Sequence, residues 1–86
     1  MVLVDSVLAE DDYLLRIRFN NGEGRLFDMK PYLKYPVYQR LQNPGFFSLA
    51  HAEYGTVVWP EEIDIAPETL YELSVPVAMD DEAGVS

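Results

Sequence analysis

The groups in this chain that could make or break bonds are few and scattered. There is one histidine, His51, no cysteine, and four serines at positions 6, 48, 74 and 86. Nucleophilic catalysis needs a base beside a hydroxyl or thiol, and none of these serines sits in the glycine-rich elbow that exposes a nucleophile. His51 falls on an expected strand opposite Val58, where a histidine serves as an ordinary polar strand residue. Glu61, Glu62 and Asp64 place three carboxylates within four residues. A hard cation takes oxygen ligands, but a calcium loop alternates Asp and Asn around a central Gly, and this segment does neither. Asp64 is expected instead to accept backbone N–H groups as an Asx turn or cap. No catalytic residue, cofactor-binding residue or metal ligand is assigned. The sequence reads as non-enzymatic.

Three arginines form the remaining constellation. Tyr13, Leu15, Ile17 and Phe19 alternate with Leu14, Arg16 and Arg18, a period of two that argues a half-buried strand. Asn21-Gly22 is a strong signal for a two-residue type I′ turn. That turn would pair Ile17 with Leu26 and Arg18 with Arg25, placing Arg16, Arg18 and Arg25 on one face. Like charges directly opposite destabilise a strand pair, so this face calls for an anion: the chain's own carboxylates, an acidic partner or a phosphate. These arginines are the expected partner contact.

The elements that position these groups follow from pattern. Residues 2–9 read as a strand, 13–19 and 23–28 as a hairpin, and 36–42 as a helix begun by Pro36 and stopped by Asn43-Pro44-Gly45. A second hairpin runs through 49–54 and 56–59 around Gly55. A helix over 67–73 has Pro67 at its start and Glu68 in its first turn. The expected fold class is α+β: a small, largely antiparallel sheet in the order β-β-β-α-β-β-α with helices on one face. Residues 1–75 form the single domain, and 76–86 an acidic tail expected to be disordered. Trp59 is expected at the core's centre. Tyr32, Tyr35 and Tyr38, with Pro31 and Pro36, either cover the open end of the sheet or line a peptide groove.

Composition bounds the function. The 86 residues carry 15 acidic and 6 basic side chains, a net charge of −9, and 49% are hydrophobic. Every Lys and Arg lies within the first forty positions, balanced there by six acids, so the whole excess falls in the second half. Phosphate binding depends on Lys and Arg, which argues against direct nucleic-acid contact. No basic-then-apolar leader opens the chain and no apolar run approaches the ~20 residues that span a bilayer. A cytoplasmic location with no membrane role is expected. The absence of cysteine suits a reducing compartment.

Tyr13-Leu14-Leu15, Phe19-Asn20-Asn21-Gly22-Glu23, Phe27-Asp28, Thr56-Val57-Val58-Trp59-Pro60, Ile63-Asp64-Ile65-Ala66-Pro67 and Leu70-Tyr71 together resemble a bacterial family of unknown function, DUF2442, over roughly residues 2–73. Trp59, Pro60 and Asp64 are its most specific positions, read here as structural. The family pattern carries a Gly between Pro60 and Asp64; Glu61-Glu62 stand there in this chain, so the turn is expected to differ. The resemblance implies a prokaryotic origin and the β-β-β-α-β-β-α order. It also implies relatives with an appended helix-turn-helix, for which this chain is too short, and others paired with small partners in toxin–antitoxin fashion.

The expectation is a module that contacts another protein, antitoxin-like or regulatory, in a two-gene operon. The rival readings are a small ligand-binding domain or enzyme with a pocket near Trp59 and Asp64, and a nucleic-acid-binding accessory using Arg16, Arg18 and Arg25. Self-association through a sheet edge is compatible with each.

Overall fold

The computed structural model describes residues 1–77. Among these residues seven strands form two antiparallel sheets. β1 (Val4–Glu10), β2 (Leu14–Phe19), β3 (Gly24–Asp28) and β7 (Val75–Val77) make a four-stranded sheet in the order β1-β2-β3-β7. β4 (His51–Glu53), β5 (Thr56–Trp59) and β6 (Ile63–Ile65) make a three-stranded sheet in that order. The helices are α1 (Pro44–Phe47) and α2 (Pro67–Leu73), with 3-10 turns at Asp11–Tyr13, Lys30–Tyr32 and Pro36–Gln42. The α+β class therefore holds, with two sheets in place of the single one expected. The second hairpin meets β1 through the bond from Val4 N to Gly55 O (2.8 Å) and does not extend the ladder.

The two-residue alternation of β2 does its work in packing. Leu15, Ile17 and Phe19 are fully buried, while Leu14, Arg16 and Arg18 are half-buried on the other side. Phe27 stands beside Leu15 in the same sheet, and Met29, Leu41, Phe47, Val57, Trp59, Ile63, Ile65 and Leu70 complete the core with them. Burying each such side chain contributes roughly 1.5–3 kcal/mol, enough in sum for a small domain without disulfides. Aromatic edges key the layers together: Phe19 meets Tyr71 of α2 at 5.1 Å, and Tyr13 meets Phe47 of α1 at 5.3 Å, both edge-to-face.

Four local expectations change. Pro36–Gln42 is 3-10 and not α-helical, with i to i+3 bonds such as Tyr38 N to Tyr35 O at 2.9 Å. Asn43-Pro44 does not merely stop a helix; the Asn43 side chain accepts from Gly45 N and Phe46 N and so caps α1. Ile63-Asp64-Ile65, where Asp64 is expected as an Asx turn or cap, alternates buried, exposed, buried as β6. β7 crosses the boundary expected at residue 75, since Val77 pairs with Gly24. The rest of the expected tail, 78–86, lies outside the described residues.

Candidate interaction surface

The loop after β2 decides where the arginines point. Gly22 N bonds to Phe19 O and Phe19 N to Glu23 O, both at 2.9 Å, and Gly22 has φ +89°. This is a three-residue loop, Asn20-Asn21-Gly22, ending in a left-handed glycine, the arrangement of a type I turn followed by a bulge. The expected two-residue turn is displaced by one residue, and a one-residue slip sends each side chain to the opposite face. Arg18 pairs with Gly24, and Ile17 with Arg25. The expected face of Arg16, Arg18 and Arg25 is therefore divided. Arg25 shares the core side with Ile17, and only Arg16 and Arg18 share the outer side.

Arg25 is thereby a structural residue. Its Nε donates to Ser74 Oγ (2.8 Å), Nη2 to Ser74 O (2.9 Å) and Nη1 to Glu23 Oε1 (2.9 Å). The guanidinium lies 4.5 Å from the centre of the Tyr71 ring. Tyr71 Oη donates to Glu23 as well (2.7 Å). The bonds from Tyr71 and then Arg25 hold the Glu23 carboxyl below its ordinary value.

The outer face of the four-stranded sheet can be read row by row, because directly opposed residues share a side. Leu8, Arg16, Leu26 and Val75 form one row; Ser6, Arg18, Gly24 and Val77 form the next; Glu10, Leu14 and Asp28 lie beyond Arg16. Both α-helices and the second sheet pack on the opposite side. Leu8 is 60% exposed and Val75 57%. Arg16 is tied to Glu10 at 2.5 Å, and Asp28 to Lys30 at 3.1 Å. The Arg18 guanidinium has no ion pair or hydrogen bond among the described residues. Among the described residues this surface thus sets the apolar Leu8, Leu26 and Val75 beside a cation, Arg18, that makes no ion pair with them.

Of the motif positions, Trp59 alone lies in the core. Trp59 is 1% exposed and its indole N–H donates to Phe47 O (3.0 Å). Pro60 is exposed in the loop that joins β5 to β6. Asp64 is not a cap: it stands mid-strand opposite Val58 on the exposed side, and its backbone carbonyl accepts from Tyr38 Oη at 3.1 Å. Glu61 and Glu62 occupy left-handed backbone, φ +68° and +65°, in the stretch where the resemblance implies a Gly. Glu61 pairs with Arg40 at 2.9 Å, so the three carboxylates do not converge. No group of three or more candidate metal ligands occurs among the described residues.

His51 pairs with Val58 as expected. Its Nδ1 contacts Leu49 O and its Nε2 Glu53 Oε1, which raise its pKa in that order. Of the tyrosines, Tyr32 stacks on Phe27 at 5.5 Å and covers the sheet end, while Tyr35 stays 48% exposed.

A shallow cavity of about 160 Å³ lies between the Ala9–Tyr13 segment and Pro44, Phe47 and Ser48. It does not include Trp59 or Asp64. Its volume falls below the ~300–1,000 Å³ of sites that enclose a metabolite. No helix among the described residues is long and apolar enough to cross a membrane.

Among solved structures the chain is similar to Putative DNA Binding Protein NE0471 from Nitrosomonas europaea, with 25% identity and a TM-score of 0.76. The match takes in 98% of this chain and 52% of that one, so this chain spans about half that protein's length. No curated protein matches. The model of a protein family of unknown function matches residues 4–76, residues that include the Trp59-Pro60 and Asp64 positions and both edges of the four-stranded sheet; the chain belongs to that family, DUF2442.

Proposed function

We propose that this domain is a non-enzymatic protein-interaction module whose contact surface is the outer face of the four-stranded sheet. The observation that carries the reading is the outer row of Leu8, Arg16, Leu26 and Val75, with Arg18 beside it and no described element above. Protein interfaces enrich apolar side chains and Arg in this way and tie affinity to a few such anchors. A partner that brings a carboxylate to Arg18 and apolar groups to the leucines would satisfy both features. A partner encoded beside this chain, in the manner of an antitoxin or regulator, fits the module's size.

The division of the three arginines bears on the nucleic-acid reading. Here Arg25 is turned inward and Arg16 is held by Glu10, so the phosphate-binding trio is not assembled. The ligand-pocket reading has its expected centre, Trp59, buried with its N–H satisfied.

The test is co-purification from the native host with the full chain and with Leu8→Asp/Arg18→Glu, each checked by circular dichroism for a native fold. The expected outcome is a defined partner retained by the native chain and lost by the variant. A partner held equally by both, or none under cross-linking, overturns the proposal.

A further inference from the structure

We infer that the cavity between the β1–β2 turn and α1 is a docking slot for a lysine side chain of a basic partner. The aliphatic stem lies on Ala9, Tyr13, Pro44 and Phe47, and the ammonium meets the exposed carboxylate of Asp11. This slot is a different place from the outer sheet face proposed above, and neither reading needs the other.

Three observations carry it. The first is the wall. Asp12 and Tyr13 take left-handed backbone, φ +67° and +62°, in the turn between β1 and β2. Tyr13 meets Phe47 edge-on at 5.3 Å, and its hydroxyl donates to the Gln42 carbonyl oxygen. Ser48 Oγ likewise donates to Gly45 O, at 2.7 Å. The hydroxyls bordering the cavity thus spend their protons on the chain's own carbonyls, and Ala9, Pro44 and the two rings offer a ligand apolar surface. The second is the rim. Arg16 holds Glu10 at 2.5 Å, and Lys30 holds Asp12 at 3.1 Å. Asp11 between them is exposed and makes no ion pair or hydrogen bond among the described residues. Its two neighbours carry cations of this chain, and it carries none. The third is size. At about 160 Å³ the cavity takes one side chain and not a metabolite. A lysine lays its four-carbon stem along apolar surface while its ammonium stays in water, which matches an apolar wall beside a hydrated carboxylate. A leucine would leave Asp11 unmet, and an acidic side chain would face three carboxylates. The complementarity extends past the slot: residues 41–77 add six acids and no Lys or Arg, a field that steers a basic partner toward the molecule.

The test titrates the full-length, nitrogen-15-labelled protein with three probes. n-Butylammonium has the stem and head of lysine, ammonium the head alone, and n-butanol the stem without the charge. Saturable amide shifts are expected with n-butylammonium at Ala9, Asp11, Tyr13, Phe47 and Ser48, and neither control should match them at equal concentration. Asp11→Asn should weaken n-butylammonium about two- to five-fold, the scale of one exposed ion pair. Ala9→Val, which adds bulk to the wall, should weaken it as well while amides remote from the cavity keep their positions. n-Butanol binding as tightly as n-butylammonium would make the cavity a plain apolar crevice and overturn the inference. Shifts shared with ammonium, or spread evenly to Glu61, Glu68 and Glu72, would mean diffuse counterion binding and overturn it too, as would an unchanged affinity in Asp11→Asn. Shifts at the cavity that grow with protein concentration in the absence of any probe would give the slot to a cation of a second copy and overturn the assignment to a partner.

Discussion

Single residues in this fold hold backbone that glycine would take more easily. Tyr54 and Gly55 form the β4–β5 turn with φ +56° and +77°, between the paired Glu53 and Thr56. This is a two-residue turn with both central residues left-handed, the type I′ arrangement that favours Asn-Gly. The chain's Asn-Gly sits instead in the three-residue loop after β2, while a tyrosine occupies the tighter turn. Tyr54 is 88% exposed, so little packing offsets the ~1–2 kcal/mol that an L-residue with a bulky side chain incurs there. Tyr54→Asn is therefore expected to stabilise the protein by about 0.5–1 kcal/mol, read as a higher urea midpoint with unchanged m-value. A lower midpoint would show that the ring makes contacts worth more than the strain. Glu61 and Glu62 bear the same strain in the β5–β6 loop. There the departure from the family's glycine was visible in the sequence, and only its conformational consequence was not.

At the level of elements, Arg25 joins three parts of the chain: β3, the end of α2 and the start of β7. The side chain is 14% exposed, and its bonds to Ser74 and Glu23 are charge-assisted. Arg25→Ala is expected to cost about 2–3 kcal/mol, since hydrogen bonds to a charged group contribute ~1.5–3 kcal/mol. Arg25→Lys should recover less than half, because an ammonium cannot meet Ser74 Oγ, Ser74 O and Glu23 in one plane; full recovery in thermal or urea melts would contradict this account. The same cluster gives a pH signature. Glu23 is held below its ordinary value, so its contribution to stability is present above the unfolded value of about 4.5 and is lost as pH falls through the folded one. Tyr71→Phe removes the largest cause, and the Glu23 carboxyl resonance should then titrate closer to 4.5. An unchanged titration would mean that Arg25 alone sets it. What was legible here was periodicity: β2, the Thr56–Trp59 strand, the His51–Val58 pairing and the Pro67–Leu73 helix all follow from alternation, turn residues and helix-start chemistry. Loop length was not legible, because Asn20-Asn21-Gly22 satisfies both a two- and a three-residue turn. That single ambiguity moved Arg25 from the presumed contact face to the inside. β7 was missed for a related reason: Val75-Pro76-Val77 is too short to show a period, and its strand character comes from pairing with Gly24–Leu26.

For the molecule as a whole, the two sheets act as one body only if they are joined where neither ladder continues. The joint is small. Val4 N donates to Gly55 O, and Leu3 lies so close over Gly55 that a Cβ there would meet Leu3 Cδ2 at 2.8 Å and Cβ at 3.4 Å. Asn20 locks the same strand start, donating from its backbone to Leu3 O (2.8 Å) while its side chain accepts from Leu3 N (3.2 Å). Gly55→Ala then carries two separable costs: about 1–2 kcal/mol for an alanine at φ +77°, and a smaller one of about 0.5–1 kcal/mol for displacing the half-buried end of the Leu3 side chain. Leu3→Ala removes the obstacle without touching the backbone. In a cycle of the two single variants and the double, the overpacking part should vanish in the double variant and the conformational part persist, giving a coupling of about 0.5–1 kcal/mol by urea denaturation. Additive effects would mean that Leu3 does not press on Gly55 and that the sheets are held together by the shared aromatic core alone. A coupled cycle with a single cooperative transition means that the hairpin tip and the first strand unfold together. The outer face of the four-stranded sheet is then a fixed platform, because the strands that present Leu8, Arg16 and Arg18 cannot shift relative to the core beneath them.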